Sequence, residues 1–223
     1  MKIAILLYDD FTALDAIGPY EVLRILPGAE IQFVAKTTGV VRSDARSLGV
    51  VIDHDIGSVR SADILVVPGG PGQEDAERDP AILDWVRTIH QTTQWTTSVC
   101  TGSLILGAAG VLKGLRATTH WMFQERLREF GAEPTLERVV EQGKVVTAAG
   151  VSSGIDMALR LVARIAGDDV AQSIQLAIEY DPQPPFDAGS PLKAPEHVIQ
   201  LVRDAFEQLR ASREANQARA ANG

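Results

Sequence analysis

The sequence predicts an α/β protein: a mostly parallel sheet with helices on both faces. Two observations carry that prediction. Short apolar runs alternate with stretches of helical spacing along most of the chain, the pattern of strands and helices that build a covered parallel sheet. Three of the turns after the apolar runs, Asp9–Gly18, Pro68–Gly72 and Cys100–Gly102, bear glycine or cysteine. In such sheets ligand sites form beyond the carboxyl ends of the strands.

Lys2–Leu7 reads as a buried first strand. Asp15–Leu26 has helical spacing through Ile17, Val22, Leu23, Ile25 and Leu26, and Leu26-Pro27-Gly28 ends it. Glu30–Ala35 is a second strand, and Gly39–Ile52 reads as a hairpin-rich excursion. Ile64-Leu65-Val66-Val67 is a short strand stopped by Pro68-Gly69-Gly70-Pro71-Gly72. Asp79-Pro80 starts a helix, with Asp as N-cap and Pro at the first helical position. Its buried face is expected to hold Ile82, Leu83, Val86 and Ile89. Thr96–Val99 is a strand that runs through Cys100 into a helix over Leu104–Ala109. Helices are further expected at Trp121–Phe130, Ser152–Ile165 and Val170–Tyr180, and a strand at Val145–Ala148. Asp181–Pro195 carries five prolines and reads as an extended surface loop, followed by a charged helix over Glu196–Ala220. Residues 1–210 are expected to form one domain, with 211–223 a frayed or disordered tail.

Composition narrows the function. The chain has 223 residues, 45% hydrophobic and 22% charged, with a net charge of -8; that is ordinary globular composition with room for a substantial core. An acidic chain without a basic block is a poor binder of nucleic acid or of anionic membrane surfaces. The run Ile3–Leu7, closed by Asp9 and Asp10, is too short for a signal-peptide core, and no run reaches the roughly 20 residues of a membrane span. One cysteine excludes an internal disulfide and suits a reducing compartment, so a cytoplasmic setting is expected. No histidine pair has metal-ligand spacing, and there is neither a G-x-G-x-x-G nor a P-loop. Neither a metal nor a cofactor is expected.

The segment Thr97-Ser98-Val99-Cys100-Thr101-Gly102-Ser103 places a cysteine between a strand and a helix, with small residues after it. This is the cysteine counterpart of a nucleophile elbow. A thiol at a helix N-terminus should have its pKa lowered and its thiolate fraction raised, and the thiolate is the nucleophile. The competing reading is a buried structural cysteine. Gly69 and Gly70 let backbone N–H groups turn toward developing negative charge, and with the Thr101 N–H they could form an anion hole. The plainer reading is a tight turn. Asp15 is either an N-cap or a general acid/base beside the thiol. His120 is either a partner of the cysteine or a packed or capping histidine.

The Pro68-Gly69-Gly70 turn, the Cys100 elbow and Asp15-Ala16-Ile17-Gly18-Pro19 together resemble the ThiJ/PfpI superfamily, over about Ile3 to Phe206. Within it the chain is most similar to the isocyanide hydratase branch. That likeness rests on Thr97–Leu104, Arg116–Trp121, Glu137–Val140, Gln175–Tyr180 and Pro184–Pro191. The resemblance implies a flavodoxin-like, doubly wound fold and a homodimer with its site near the subunit interface. It implies Cys100 as nucleophile, Asp15 as acid/base and Thr101 as a modulator of both, with an oxyanion-type pocket from the N–H groups of Gly69, Gly70 and Thr101. Thr101 stands where the peptidase-like branch has His, which puts peptidase activity in doubt, and Asp15 where the protein-repair branch has Glu, which favours the hydratase branch. The implied reaction is hydration of an isocyanide to an N-substituted formamide through a thioimidate on Cys100. Two alternatives use the same thiol: an enzyme acting on reactive carbonyls, and a ligand or redox sensor. For a sensor, the 28 residues from Glu196 are too few for a DNA-binding domain.

Overall fold

A computed structural model of the chain describes residues 1–221; for 213, 214 and 216–221 it describes only the backbone. In chain order the elements are β1 (Lys2–Leu6), α1 (Ala13–Leu23), β2 (Glu30–Ala35), β3 (Gly39–Arg42), β4 (Gly49–Ile52), β5 (His54–Asp55) and β6 (Ile64–Val67). There follow α2 (Gln73–Ala76), α3 (Pro80–Thr92), β7 (Trp95–Val99), α4 (Gly102–Ala108), β8 (Arg116–Ala117) and a 3-10 helix (Trp121–Phe130). The series ends with β9 (Glu133–Pro134), β10 (Val139–Gln142), β11 (Val145–Ala148), α5 (Ser153–Ala166), α6 (Asp168–Ala177) and α7 (Glu196–Ala221).

The main sheet has the order β10-β11-β7-β6-β1-β2-β5. Every neighbouring pair is parallel except β10 with β11, which is antiparallel. The expected α/β architecture, a mostly parallel sheet with helices, is therefore the one observed. All four residues of β6 and the last four of β1 are buried, as strands covered on both faces must be. β3 and β4 form the separate antiparallel hairpin that the glycine-flanked Gly39–Ile52 stretch suggested.

The helix ends follow local chemistry. Asp79 caps α3 by accepting a hydrogen bond from the Ala81 N–H at 2.9 Å, with Pro80 at the first helical position. The buried face of α3 departs from expectation in one residue. Trp85 is buried and donates its indole N–H to Val59 O at 2.8 Å, while Leu83 is only half-buried. Trp121–Phe130 winds as a 3-10 helix and stops at Gly131, which has φ +73°. α1 and α5 lie close because a glycine from each faces the other: a Cβ on Gly18 would touch Ile155, and one on Gly154 would touch Pro19.

The chain divides into two compact units, Met1–Asp181 and Pro182–Gly223. The sheet and the buried core belong to the first. In the second, α7 is described as helix to Ala221, and residues 222 and 223, the end of the segment expected to fray, lie outside the described residues.

Candidate active site

Three strand ends meet around Cys100, and each contributes by a different local device. β7 runs straight into the cysteine, whose φ is +55°. A non-glycine residue in that region is strained and persists only where its surroundings fix it. Here the Cys100 N–H donates to Ala148 O at 3.1 Å and to Ala149 O at 2.8 Å. Its carbonyl accepts from Thr119 Oγ1 at 2.9 Å and from Ser103 Oγ at 3.2 Å. Gly102 must be glycine, since a Cβ there would run into the carbonyl oxygens of Val67 and Pro68. The elbow is thus pinned on both sides.

The second contribution comes from the turn after β6. The Gly69 N–H donates to Asp15 Oδ2 at 2.9 Å, and the Gly70 N–H donates to Thr101 Oγ1 at 3.1 Å. A Cβ on Gly69 would lie 2.5 Å from Thr101 N and 3.0 Å from Asp15 Oδ2. Only a glycine lets the turn approach both residues so closely. The sequence left these two N–H groups between an anion hole and a tight turn; in the structure they bond Asp15 and Thr101.

Asp15 lies in the first turn of α1, where the N-cap position belongs to Thr12. It is fully buried, and its Oδ1 accepts no hydrogen bond. Burial, the dominant effect, pushes its carboxyl from the ordinary 3.8 up to about 7; hydrogen bonds from Gly69 and Cys100 hold it down in part, and the charge of Asp44 adds to the rise. The carboxyl and the Cys100 thiol therefore face one another, as the sheet topology suggested.

The thiol corrects a sequence expectation. A helix N-terminus was expected to lower its pKa. Burial pushes it well above its ordinary value, and the neighbouring Asp15 charge pushes the same way. The N–H groups of Val151 and Thr101 pull down, but less strongly. α4 has only seven residues, too short for its dipole to offset burial of a group 6% exposed. Cys100 and Asp15 are one coupled pair, and their titration belongs to the pair.

His120 is not one of the groups that shift the titration of Cys100 or Asp15. Its ring lies against Gly150, where a Cβ would come within 2.9 Å of His120 Cδ2, and beside Trp121 and Phe123. Nδ1 accepts from the Met122 N–H, so the histidine caps the 3-10 helix. Burial lowers its pKa to about 4, so the ring is neutral at pH 7.

Sequence reasoning missed three contributors. Val151 has φ +30°, a genuine outlier for a β-branched residue, and directs its N–H at the thiol. It follows the strand Val145–Ala148, so the strand-end rule could have found it. Thr119 holds the Cys100 carbonyl, and Asp44 acts on Asp15 from the β3–β4 turn; no spacing signals either. Among the described residues, no group of three His, Cys, Asp or Glu side chains could hold a metal ion.

A parallel-sheet protein carrying a strained cysteine elbow opposite a buried carboxyl belongs to the class of α/β proteins with a cysteine–carboxylic acid site. The family is shown directly: residues 1–164 match the model of the DJ-1/PfpI family, and this chain belongs to that family. It is 41% identical to an isonitrile hydratase from Pseudomonas putida over 91% of this chain and 89% of that one. A crystal structure of a ThiJ/PfpI family protein from Pseudomonas syringae superposes with a TM-score of 0.88 at 42% identity, covering 94% of this chain and 89% of that one. A glutathione-independent glyoxalase from Caenorhabditis elegans is 25% identical over 66% of this chain and 79% of that one.

Proposed function

We propose that the protein hydrates isocyanides to N-substituted formamides, with Cys100 as nucleophile and Asp15 as acid and base. The observation that carries this reading is the pairing of the elbow thiol with a carboxyl whose pKa is pushed to about 7. Such a carboxyl exists in both protonation states near neutrality, which is what one group serving as acid and then base requires. The likeness to an isonitrile hydratase supports the choice of substrate.

In the proposed sequence the proton of the thiol passes to Asp15. The thiolate attacks the terminal carbon of the isocyanide and forms the S–C bond, and Asp15 returns the proton to that carbon. The product is a thioimidate. The Asp15 carboxylate then takes a proton from water as the hydroxide adds to the carbon, and passes that proton to the nitrogen. On collapse the C–S bond breaks, Asp15 takes the hydroxyl proton, and the formamide leaves the thiolate behind. The N–H groups of Val151 and Thr101 stabilise the sulfur whenever it carries charge. Thr101, held by Gly70, keeps the turn that presents Asp15 at a fixed distance from the elbow. Gly69 and Gly70 serve by positioning these two groups, while neutral His120 packs against Gly150. No cofactor enters the scheme. A homodimer and a cytoplasmic setting are part of the same reading; among the described residues no helix is long and apolar enough to cross a membrane.

The test is to mix the protein with para-nitrophenyl isocyanide and follow formation of the formamide, with Cys100→Ala and Asp15→Asn beside it. Turnover by the native chain, none above background for Cys100→Ala, and a loss of at least about a hundredfold for Asp15→Asn are expected. Near-native turnover without the thiol would sink the covalent scheme. No turnover by reduced, folded native protein would shift the reading to carbonyl chemistry on the same cysteine.

A further inference from the structure

The β3–β4 hairpin is stitched to the turn that leads into the site. The Asp44 N–H donates to Phe11 O at 2.9 Å, the Asp10 N–H donates to Arg42 O at 2.9 Å, and Phe11 bridges Ser43. Thr12, at the centre of this seam, donates its N–H to Gly69 O at 2.9 Å and its carbonyl accepts from the Asp15 N–H at 3.1 Å. Its hydroxyl donates to Asp44 Oδ2 at 2.9 Å, and Asp44 Oδ1 accepts from the Ala45 N–H at 2.8 Å. Both carboxylate oxygens of Asp44 are therefore fixed, one hydroxyl away from the residue that touches Gly69. The nearby guanidinium of Arg46 is committed to Asp10 at 2.9 Å and Asp9 at 3.8 Å. Asp44 has no ion-pair partner among the described residues.

We propose that Asp44 is a positioning and specificity residue of this site: its fixed, uncompensated carboxylate, exposed on the β3–β4 turn, disposes the Cys100–Asp15 pair toward neutral substrates and against anionic ones. This deepens the reading above, and rests on it only in taking that pair as the reacting centre. A negative charge outside a buried carboxyl resists its ionisation and so keeps a proton available there; Asp44 has this effect on Asp15. The same charge repels an anion approaching the elbow. The other groups around Asp15 do not duplicate it. The β6–α2 turn offers the Gly69 N–H, and the elbow offers the Cys100 thiol. α5 presents Gly154 and Ile155 to α1, and its Asp156 is engaged by Arg138 and Tyr180.

Cys100 is the sole cysteine, so its alkylation reads the site without any assumption about isocyanides. Iodoacetamide is neutral and iodoacetate anionic; in both, the sulfur displaces iodide and forms an S–CH₂ bond. At low ionic strength, Asp44→Asn is expected to raise the iodoacetate rate relative to the iodoacetamide rate by about two- to fivefold. High salt should erase that gain. The acid limb of the iodoacetamide pH profile should move to lower pH in the same variant. Asp44→Glu should keep the native ratio, and so should Asp84→Asn, which removes an equal charge from α3. An unchanged ratio and an unmoved acid limb in folded Asp44→Asn would overturn the proposal. If that variant does not fold, Asp44→Ser, which can still accept from Thr12, gives the same reading. A shifted ratio without isocyanide turnover would leave the role of Asp44 standing and remove the hydratase reading. Turnover with an unshifted ratio would do the reverse.

Discussion

Asp15 is buried at a cost, and that cost has a pH signature. Its carboxyl titrates at about 7 in the folded protein against 3.8 ordinarily, so the folded state holds the proton more tightly than the unfolded chain. The stability of the neutral, buried form is fully present below about pH 4 and is lost as pH rises through 7. For a fully buried group the whole span amounts to roughly 4 kcal/mol. Asp15→Asn cannot ionise and can still accept from Gly69, so it should match the native protein at pH 4 and exceed its stability at pH 8 by up to about 4 kcal/mol. Urea unfolding at the two pH values measures this; a difference that does not change with pH would show that Asp15 is not the group being discharged. If Asp15 is the acid and base proposed above, the variant should gain stability where it loses rate. At this scale the sequence revealed residue identities but not their electrostatics. Cys100 was legible from strand-end position and residue type, whereas Asp15 stood open between cap and acid/base until the family resemblance assigned it. The upward shift of the thiol was not legible, because its buried cluster includes Val139, Val146 and Met157, which only the packed structure assembles around it.

At the scale of elements, the elbow depends on backbone approaching backbone. A methyl group on Gly102 would meet Val67 O and the Pro68 carbonyl, and neither can swing away as a side chain could. Gly102→Ala should therefore cost about 3 kcal/mol, the upper end for overpacking, and should slow alkylation of Cys100 because β6 and the elbow must separate. Gly189→Ala, with nothing near its added carbon, should change neither; equal effects of the two variants in thermal unfolding would refute the close-approach argument. Short apolar strands were the most legible elements. Glu30–Ala35, Ile64–Val67 and Val145–Ala148 were read with their observed ends because apolar runs there meet Gly, Pro or charge abruptly. The two-residue strands β5, β8 and β9 were not read, since they exist through pairing with distant segments. The antiparallel edge strand β10 was missed for a related reason: Val139-Val140-Glu141-Gln142 is half polar and gains its strand character from β11.

For the whole molecule, the sequence supported one domain over 1–210, but the distribution of burial argues for an earlier boundary. The last buried residue among those described is Ile174, and the hydrophobic core draws its partly buried neighbours no later than Ile178. From Pro182 to Pro195 the chain forms no helix or strand, and it exposes Phe186 and Leu192 at 78% each. Irregular, exposed backbone with large apolar side chains is where a protease that cuts before Phe and Leu acts first. Brief treatment with thermolysin should thus cleave ahead of Phe186 or Leu192 before any site within Met1–Asp181. Because Cys100, Asp15, Thr101, Gly69, Gly70 and the seven-stranded sheet all lie in that first unit, the nicked protein should keep a cooperative melt and its rate of Cys100 alkylation by iodoacetamide. Mass spectrometry gives the cut and circular dichroism the melt. Early cleavage inside the sheet, or collapse of the melt once the second unit is severed, would show that residues 182–210 are integral to one domain, as the unbroken resemblance to Phe206 first suggested.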